Sequence, residues 1–279
     1  MAANKQFGLI GYPLGHSWSK KYFADKFKHE QIDGCSYSLF PIEDLNELHG
    51  LLSEHPNLVG LNVTIPHKET IIALLDDVSD TASDIGAVNT IVIKRMGNEH
   101  HLTGHNTDVY GFAKSLEVHQ VTNPADPDSG ASGAGGHRRA AMVLGTGGAS
   151  KAVCYVLKHL GWDISLVSRN PASGKHGSYS LLSYQEITHE DMAQHSLIVN
   201  TTPLGMAPKV SGYPDIPYKW LTSNHILYDL VYNPETTKFL EFGIMAGCQV
   251  IGGLDMLKLQ ADKSFEIWKL HFFRNFDAQ

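Results

Sequence analysis

The sequence has few cysteines, no long apolar run and no excess of positive charge. Its 279 residues include three cysteines, Cys35, Cys154 and Cys248, which are far apart and form no CxxC pair. Such a set indicates neither a disulfide framework nor a thiolate zinc site, so we expect small, buried apolar side chains at these positions. No segment approaches the roughly 20 consecutive apolar residues of a membrane-spanning helix, and residues 1–6 lead into a strand-like segment rather than a signal-peptide core. We therefore expect a cytoplasmic protein without a membrane partner.

The charge balance is mildly acidic. Lys and Arg number 22 against 29 Asp and Glu, which gives a formal net charge of −7 and excludes a polycationic, nucleic-acid-binding protein. Hydrophobic residues make up 42% of the chain and charged residues 18%, so it has enough apolar surface to form a core. The length predicts about two domains.

Short apolar runs alternate with longer amphipathic segments, which predicts an α/β fold with a mostly parallel sheet. Helices are expected over 69–75 and 149–160, and from residue 254 onwards. In that last helix Leu257, Ala261, Ser264, Phe265 and Trp268 form one mainly apolar stripe. The predicted strands are 7–11, 35–40, 58–65, 87–93, a stretch around Leu102, 140–145, 164–168, 196–200, 226–231 and 248–251.

A low-complexity segment separates the two halves. Residues 122–136 contain no aromatic side chain and no aliphatic one larger than alanine, which predicts a flexible surface insertion. The predicted organisation is a first domain over 1–118 together with the helix 254–279, an insertion or linker over 119–139, and a second domain over 140–253.

The strongest local motif is VLGTGGAS at 143–150, between a strand and a helix. Gly145 permits a tight turn, Gly147 lets a pyrophosphate approach the backbone, and the first amides of the helix bind its charge. Ser150 replaces the third glycine of GxGxxG. The alternative is a glycine turn that only packs a helix on a strand, but the βαβ context favours a dinucleotide site.

The next strand of this βαβ unit leads into Ser168, Arg169 and Asn170. NAD enzymes usually carry an acidic residue here for the ribose hydroxyl, whereas an arginine suits a 2′-phosphate. The motif therefore favours NADP, and Lys175 adds charge nearby. The alternative is an ordinary exposed arginine after a strand.

Polar residues in the first half are candidates for a substrate site. Ser17 and Ser19 precede a helix, where one of them is also suited to be an N-cap. Lys68 lies at the start of a helical segment, where a cation is unfavourable unless an anion is near. Asp108 lies at a helix start, which its charge favours. The 16 histidines include no HExxH motif, so no metal site is expected.

Taken together, eight segments in order along nearly the whole chain resemble the shikimate dehydrogenase family. They are GYPLGHSWSK, LNVTIPHK, GAVNT, GHNTDVYGF, LGTGGAS, NTTPLGM, DLVYNP and GGLDMLKLQA. The resemblance implies reversible, NADPH-dependent reduction of 3-dehydroshikimate to shikimate in aromatic amino-acid (chorismate) biosynthesis. It also implies an N-terminal α/β substrate domain and a Rossmann-type NADP-binding domain, with the C-terminal helix packed on the first.

The same resemblance implies roles for individual residues. Lys68 and Asp108 are the expected catalytic pair, because reducing a ketone requires a proton donor and a group that orients it. The other expected substrate-binding residues are Ser17 and Ser19 at the carboxylate, Thr64 and Asn89 at the ring hydroxyls, and Tyr232 and Gln260 from the second domain. The expected cofactor-binding residues are Asp80, Gly145, Thr146, Gly147, Gly148, Ala149, Ser168, Arg169, Asn170, Ser173, Leu230 and Gly253.

Two positions depart from the family pattern. Ser173 occupies a site that is commonly basic, and Asp255 one that is frequently glycine. Ser173 leaves the use of both NAD and NADP open. Two alternative functions are a quinate/shikimate dehydrogenase that uses both cofactors, and a non-catalytic regulator that keeps the dinucleotide-binding turn. The expected partner is the small-molecule substrate, in a protein that is a monomer or a homodimer.

Overall fold

The computed structural model describes residues 4–15, 18–97, 99–121, 140–171 and 179–272. It contains two compact units, each with one six-stranded sheet. The first unit comprises Met1–Thr107 and Ala261–Gln279, and the second comprises Asp108–Gln260. The predicted two-domain α/β fold class is confirmed. None of the helices in these described ranges combines the length and hydropathy of a membrane-crossing segment.

The sheet of the first unit is mixed. Its strand order is β2-β1-β3-β5-β6-β4, in which β1 runs parallel to β2 and β3, while β5 runs antiparallel to β3 and β6. The strands are β1 (Lys5–Gly11), β2 (Cys35–Pro41), β3 (Leu58–Val63), β4 (Asp77–Val78), β5 (Thr90–Met96) and β6 (Glu99–His105). The helices are α1 (Trp18–His29), α2 (Leu48–Glu54) and α3 (Asp80–Ile85).

The sheet of the second unit is parallel throughout, with strand order β12-β11-β10-β7-β8-β9. Its strands are β7 (Ala140–Leu144), β8 (Asp163–Val167), β9 (Ser180–Leu182), β10 (His195–Asn200), β11 (Ile226–Asp229) and β12 (Gln249–Ile251). Its helices are α4 (Asp108–Val118), α5 (Gly148–His159), α6 (His189–Gln194) and α7 (Lys238–Met245), and α8 (Leu254–Phe272) continues from this unit into the first.

Both faces of the second sheet are covered. Along β7, Ala141 and Val143 belong to one buried cluster, whereas Met142 and Leu144 belong to another. Successive side chains of a strand point to opposite faces, so a strand buried on both sides is apolar at every position. The uninterrupted apolar run that predicts β7 follows from this double burial.

Each strand predicted from the sequence is present, with small shifts at its ends. The predicted helix over 69–75 is instead a 3₁₀-helix, Thr70–Leu74. Its first three residues are Thr70, Ile71 and Ile72, and β-branched side chains lower the propensity for an α-helix. The predicted insertion over 122–136 lies outside the described residues.

The position of α4 differs from the sequence-based domain limits, which placed it in the first domain. Phe112 and Leu116 of α4 are buried in one cluster with Val153 and Leu157 of α5. Helix α4 therefore belongs to the compact second unit, which begins at Asp108. Residues 119–121, which the sequence placed in the linker, are described here.

The C-terminal part of α8 packs in the first unit, as the fold prediction expected. Trp268 is fully buried, stacks on Phe7 with ring centroids 4.7 Å apart, and donates a 2.9 Å hydrogen bond to the carbonyl of Ile91. Phe265 lies edge-on to Phe7 and Phe23. Ala261, Phe265 and Trp268 of the predicted apolar stripe thus lie in one buried cluster with Phe7 and Val92 of the first sheet.

Candidate active site

The carboxyl ends of β1 and β3 lie at one edge of the first sheet, and the antiparallel strand β5 begins at that edge. Asn62 of β3 is in register with Thr90 of β5, and the N–H of Val63 donates a 2.8 Å hydrogen bond to the carbonyl of Asn89. Thr64 follows β3 directly and Asn89 precedes β5. The structure therefore brings these two predicted substrate-binding residues to the same edge.

Lys68 lies in the turn that leaves this edge. Its carbonyl accepts a 2.7 Å hydrogen bond from the N–H of Val88, which holds the turn against the segment that carries Asn89. The neighbouring His67 is buried, and its ring contacts the carbonyl of Ile42 at 2.8 Å. Lys68 itself is partly exposed. The backbone of Lys68 is thus fixed by the hydrogen bond to its carbonyl, and the residue is half-buried.

The Asn89 side chain is held in one orientation. Its Oδ1 accepts a 2.7 Å hydrogen bond from the backbone N–H of Thr107. Because a backbone N–H only donates, the amide oxygen must lie on this side and Nδ2 must be the donor side. The next residue in the chain after Thr107, Asp108, is 5% exposed and begins α4 in the second unit.

Ser19 lies in the first turn of α1, after Trp18. It hydrogen-bonds Tyr37, whose pKa is raised well above the ordinary value by burial and lowered in part by this bond. Ser17, the other serine of the motif, lies outside the described residues. Of the two serines expected at the substrate carboxylate, the structure therefore describes only Ser19.

In the second sheet, the order in which successive strands are added reverses between β7 and β10. The strands to one side of this point are β7, β8 and β9, and those to the other are β10, β11 and β12. This is the strand order of a Rossmann fold, in which ligands bind at the carboxyl ends of the strands at the reversal. The glycine motif lies there, directly after β7.

Gly145 and Gly147 have different local roles. Gly145 has φ +110°, and a Cβ there would lie 2.7 Å from Oγ1 of Thr201, so only glycine fits. Gly147 is the N-cap of α5, and a Cβ there would meet no atom within 4 Å. The backbone at Gly147 therefore faces open space, beside the first amides of α5, which have no acceptor within the helix.

The remaining residues of the motif lie in the glycine turn and the first turn of α5. Ser150, in place of the third glycine, is 2% exposed and donates a 2.8 Å hydrogen bond to the carbonyl of Gly147. A serine thus satisfies the packing of helix on strand. Thr146, Gly148 and Ala149 lie in the same turn and in the first turn of α5.

The end of β8 carries the residues expected at the adenosine side of the cofactor. The hydroxyl of Ser168 accepts a 3.3 Å hydrogen bond from the N–H of Asn170. Arg169 is exposed, and its positive charge partly offsets the effect of burial, which raises the pKa of Tyr184. Ser173 and Lys175 lie outside the described residues.

The structure also brings together Leu230 and Gly253, which are far apart in sequence. A Cβ at Gly253 would overlap the carbonyl of Leu230, so glycine is required for this approach. Tyr232 lies on the same loop and is half-buried. Gln260, the last residue of the second unit, donates a 3.0 Å hydrogen bond to the carbonyl of Leu257.

Asp229 anchors the loop that carries Leu230 and Tyr232. It is fully buried and accepts hydrogen bonds from Nδ2 of Asn200, the N–H of Val231 and the hydroxyl of Thr237. Burial raises the pKa of this carboxyl to about 6, although the three hydrogen bonds oppose the shift. The sequence predicts no role for Asp229; its place within DLVYNP is the only signal there.

Asp80 has a local explanation. It is exposed at the first position of α3, whose N-cap Ser79 accepts a hydrogen bond from the N–H of Ala82. An acidic residue is favoured at a helix N-terminus by the helix dipole. Its expected approach to the cofactor stays a prediction.

Comparison with known proteins gives a consistent result. Residues 9–91 match a family model described as the shikimate dehydrogenase substrate binding domain. The chain is 38% identical over 270 residues to a shikimate dehydrogenase (NADP(+)) of Clostridium beijerinckii, covering 94% of this chain and 91% of that protein.

Solved structures resemble the whole chain. A shikimate 5-dehydrogenase of Thermus thermophilus in complex with NADP(H) and shikimate has 30% identity and a TM-score of 0.77, covering 95% of this chain and 93% of that one. A quinate dehydrogenase of Corynebacterium glutamicum in complex with NAD has 27% identity and the same TM-score of 0.77, covering 95% and 94%. The similarity therefore extends over both compact units.

Proposed function

The chain belongs to the shikimate dehydrogenase family, and from this membership we propose that it catalyses the reversible, NADPH-dependent reduction of 3-dehydroshikimate to shikimate. It is then an NADP-dependent oxidoreductase of the pathway to chorismate and the aromatic amino acids. The observation that carries the proposal is the 38% identity over 91% of the length of an NADP-dependent relative, which includes both units.

The second unit fits a dinucleotide. The open space at Gly147 admits a pyrophosphate, and the first amides of α5 donate to its oxygens. Arg169 is exposed and follows β8, and a cationic side chain after this strand suits a 2′-phosphate, which supports NADP as the cofactor. NADP supplies or accepts the hydride when bound, and the chain provides its binding and orientation.

The proposed proton chemistry belongs to Lys68 and Asp108. Reduction of the ketone develops negative charge on its oxygen, and the Lys68 ammonium donates the proton that neutralises it. Asp108 holds the charge of Lys68 and orients it; in the reverse direction, neutral Lys68 accepts the hydroxyl proton. The hydrogen bond from the N–H of Val88 to the carbonyl of Lys68 supports this role, because it fixes the backbone from which the Lys68 side chain extends.

The proposed substrate contacts use neutral donors beside this pair. Ser17 and Ser19 donate to the carboxylate, Thr64 and Asn89 contact the ring hydroxyls, and Tyr232 and Gln260 complete the set. The fixed amide of Asn89, with Nδ2 as its donor side, supports a contact to a hydroxyl oxygen. The expectations of a cytoplasmic location and of a monomer or homodimer stay predictions.

A second candidate function is oxidation of quinate with NAD. The similarity to the quinate dehydrogenase that was solved with NAD supports this candidate. Arg169 favours NADP as the cofactor, and the presence of both Ser17 and Ser19 favours shikimate as the substrate. Steady-state kinetics of the purified protein on shikimate and quinate, each with NADP and NAD, decides between them. We expect the highest kcat/KM for shikimate with NADP; a higher value for quinate with NAD would assign the second function.

A further inference from the structure

Ser264 of α8 lies at the centre of a buried polar cluster in the first unit, formed by Ser264, Asn62, Thr90, Thr107 and Asn89. Its Oγ lies 3.0 Å from Nδ2 of Asn62, 2.7 Å from Oγ1 of Thr90 and 3.0 Å from Oγ1 of Thr107. Ser264 and Thr90 are fully buried, and Thr107 is 1% exposed. One hydroxyl on the apolar stripe of α8 thus contacts three polar side chains, those of Asn62, Thr90 and Thr107.

Two of these partners, Thr90 and Thr107, also contact Asn89. Its Oδ1 accepts from the hydroxyl of Thr90 at 3.0 Å and from the N–H of Thr107 at 2.7 Å. Its Nδ2 lies 3.0 Å from Oγ1 of Thr107. Both threonines that orient the Asn89 amide are therefore themselves held by Ser264.

Attachment of α8 to the first unit is provided by other residues. Trp268 stacks on Phe7 and hydrogen-bonds Ile91, and Phe265 is 2% exposed among aromatic rings. A buried hydroxyl adds little to such packing, because it exchanges bonds to water for bonds to protein. The position of the Ser264 hydroxyl is better explained by what it orients than by what it attaches.

We propose that Ser264 is a positioning residue for substrate binding, which keeps the Asn89 amide in the orientation that donates to a ring hydroxyl. This inference rests on the proposed function, since that function assigns Asn89 to the substrate. The side chains of the cluster are neutral, so its effect is geometric rather than electrostatic. It acts on substrate affinity and leaves the proton transfer at Lys68 unchanged.

The first test is the Ser264→Ala variant. We expect KM for shikimate to rise about tenfold, with kcat and KM for NADP each within about twofold of the wild type. The matched control is Ser115→Ala: Ser115 is also fully buried and accepts a 2.8 Å hydrogen bond from the hydroxyl of Tyr228 in the second unit. The control is expected to keep the wild-type KM for shikimate.

A double-mutant cycle separates positioning from a general structural effect. If Ser264 acts through Asn89, then Ser264→Ala causes no further rise in KM once Asn89→Ala is present. An unchanged KM in Ser264→Ala, or a full additional rise in the Asn89→Ala background, overturns the inference. Should Ser264→Ala fail to fold, Thr90→Val removes a neighbouring hydroxyl of the same cluster and is judged by the same criteria.

Failure of the proposed function is a separate outcome. A wild-type protein that does not oxidise shikimate with NADP overturns that function, and the inference with it. A wild-type protein that does so, combined with additive variants, overturns the inference alone.

Discussion

The amide of Asn200 donates a 2.9 Å hydrogen bond to the buried carboxylate of Asp229, which joins the ends of two neighbouring strands in the second sheet. The same carboxylate binds Val231 and Thr237. One side chain therefore holds the start and the end of the loop that carries Leu230 and Tyr232. None of these contacts is with a cationic group that would offset the cost of burying the charge. The stability of the folded protein therefore depends on the protonation of Asp229, and so on pH.

The raised pKa of Asp229 predicts how the stability of the protein depends on pH. Its pKa is raised by burial to about 6 in the folded protein, from an ordinary value of 3.8. The folded state thus binds this proton more tightly than the unfolded chain. The stability that protonation of Asp229 contributes is therefore fully present below pH 3.8 and is lost as the pH rises through about 6. A shift of about 2 units corresponds to about 3 kcal/mol.

The Asp229→Asn variant tests this directly. Its free energy of unfolding, relative to the wild type, is expected to increase by about 2–3 kcal/mol between about pH 4 and about pH 7, because the variant never buries a charge. Urea unfolding at the two pH values measures the difference, and Asp215→Asn, at an exposed aspartate, is the control. A difference independent of pH would contradict the raised pKa.

Lys68→Ala tests the proposed proton donor. We expect kcat to fall about 100-fold or more, the usual contribution of general acid catalysis, with KM for shikimate within a few-fold of the wild type. The control is Lys28→Ala, at an exposed lysine of the same unit. Near-normal turnover in Lys68→Ala would remove this residue from the mechanism.

Gly147→Ala tests the open space at the start of α5. A Cβ there meets no atom within 4 Å, so the variant is expected to fold with only the small loss of stability of an alanine N-cap, while the methyl group blocks the pyrophosphate. KM for NADP is expected to rise at least about tenfold, measured with saturating shikimate. Gly50→Ala adds a methyl group in equally open space away from the motif and is the control. An unchanged KM for NADP would place the pyrophosphate elsewhere.

Arg169→Ala tests the choice of cofactor. Loss of a charge-assisted contact to the 2′-phosphate is expected to raise KM for NADP about tenfold or more and to leave KM for NAD unchanged. Lys158→Ala, at an exposed lysine of the same unit, controls for a general loss of positive charge. If KM rises equally for both cofactors, Arg169 does not bind the 2′-phosphate.

The sequence predicts the cofactor half best, because its signals are local. The strand, the glycine turn and the helix of the β7-α5 unit follow one another, and Gly145 is required by its own φ and by one nearby contact. The helix predicted over 69–75 is a shorter 3₁₀-helix, Thr70–Leu74, because apolar spacing alone does not distinguish an α-helix from a 3₁₀-helix over so short a segment.

The contacts of the polar cluster could not be predicted in the same way. Ser264 is 157 residues from Thr107 along the chain, and the sequence assigns it only to an apolar stripe. Asp229 lies within a recognised motif, but its raised pKa depends on burial, which follows from the packing of whole strands. Such properties depend on residues that are distant in sequence, and a local pattern carries no information on them.

The most direct test of the proposed function is the reaction of the wild-type protein with shikimate and NADP. The proposed function predicts that NADPH, followed by its absorbance, and 3-dehydroshikimate, identified by mass spectrometry, form in equal amounts. Binding of shikimate and NADP by calorimetry without formation of NADPH would contradict it, and would identify the chain as a non-catalytic dinucleotide-binding protein.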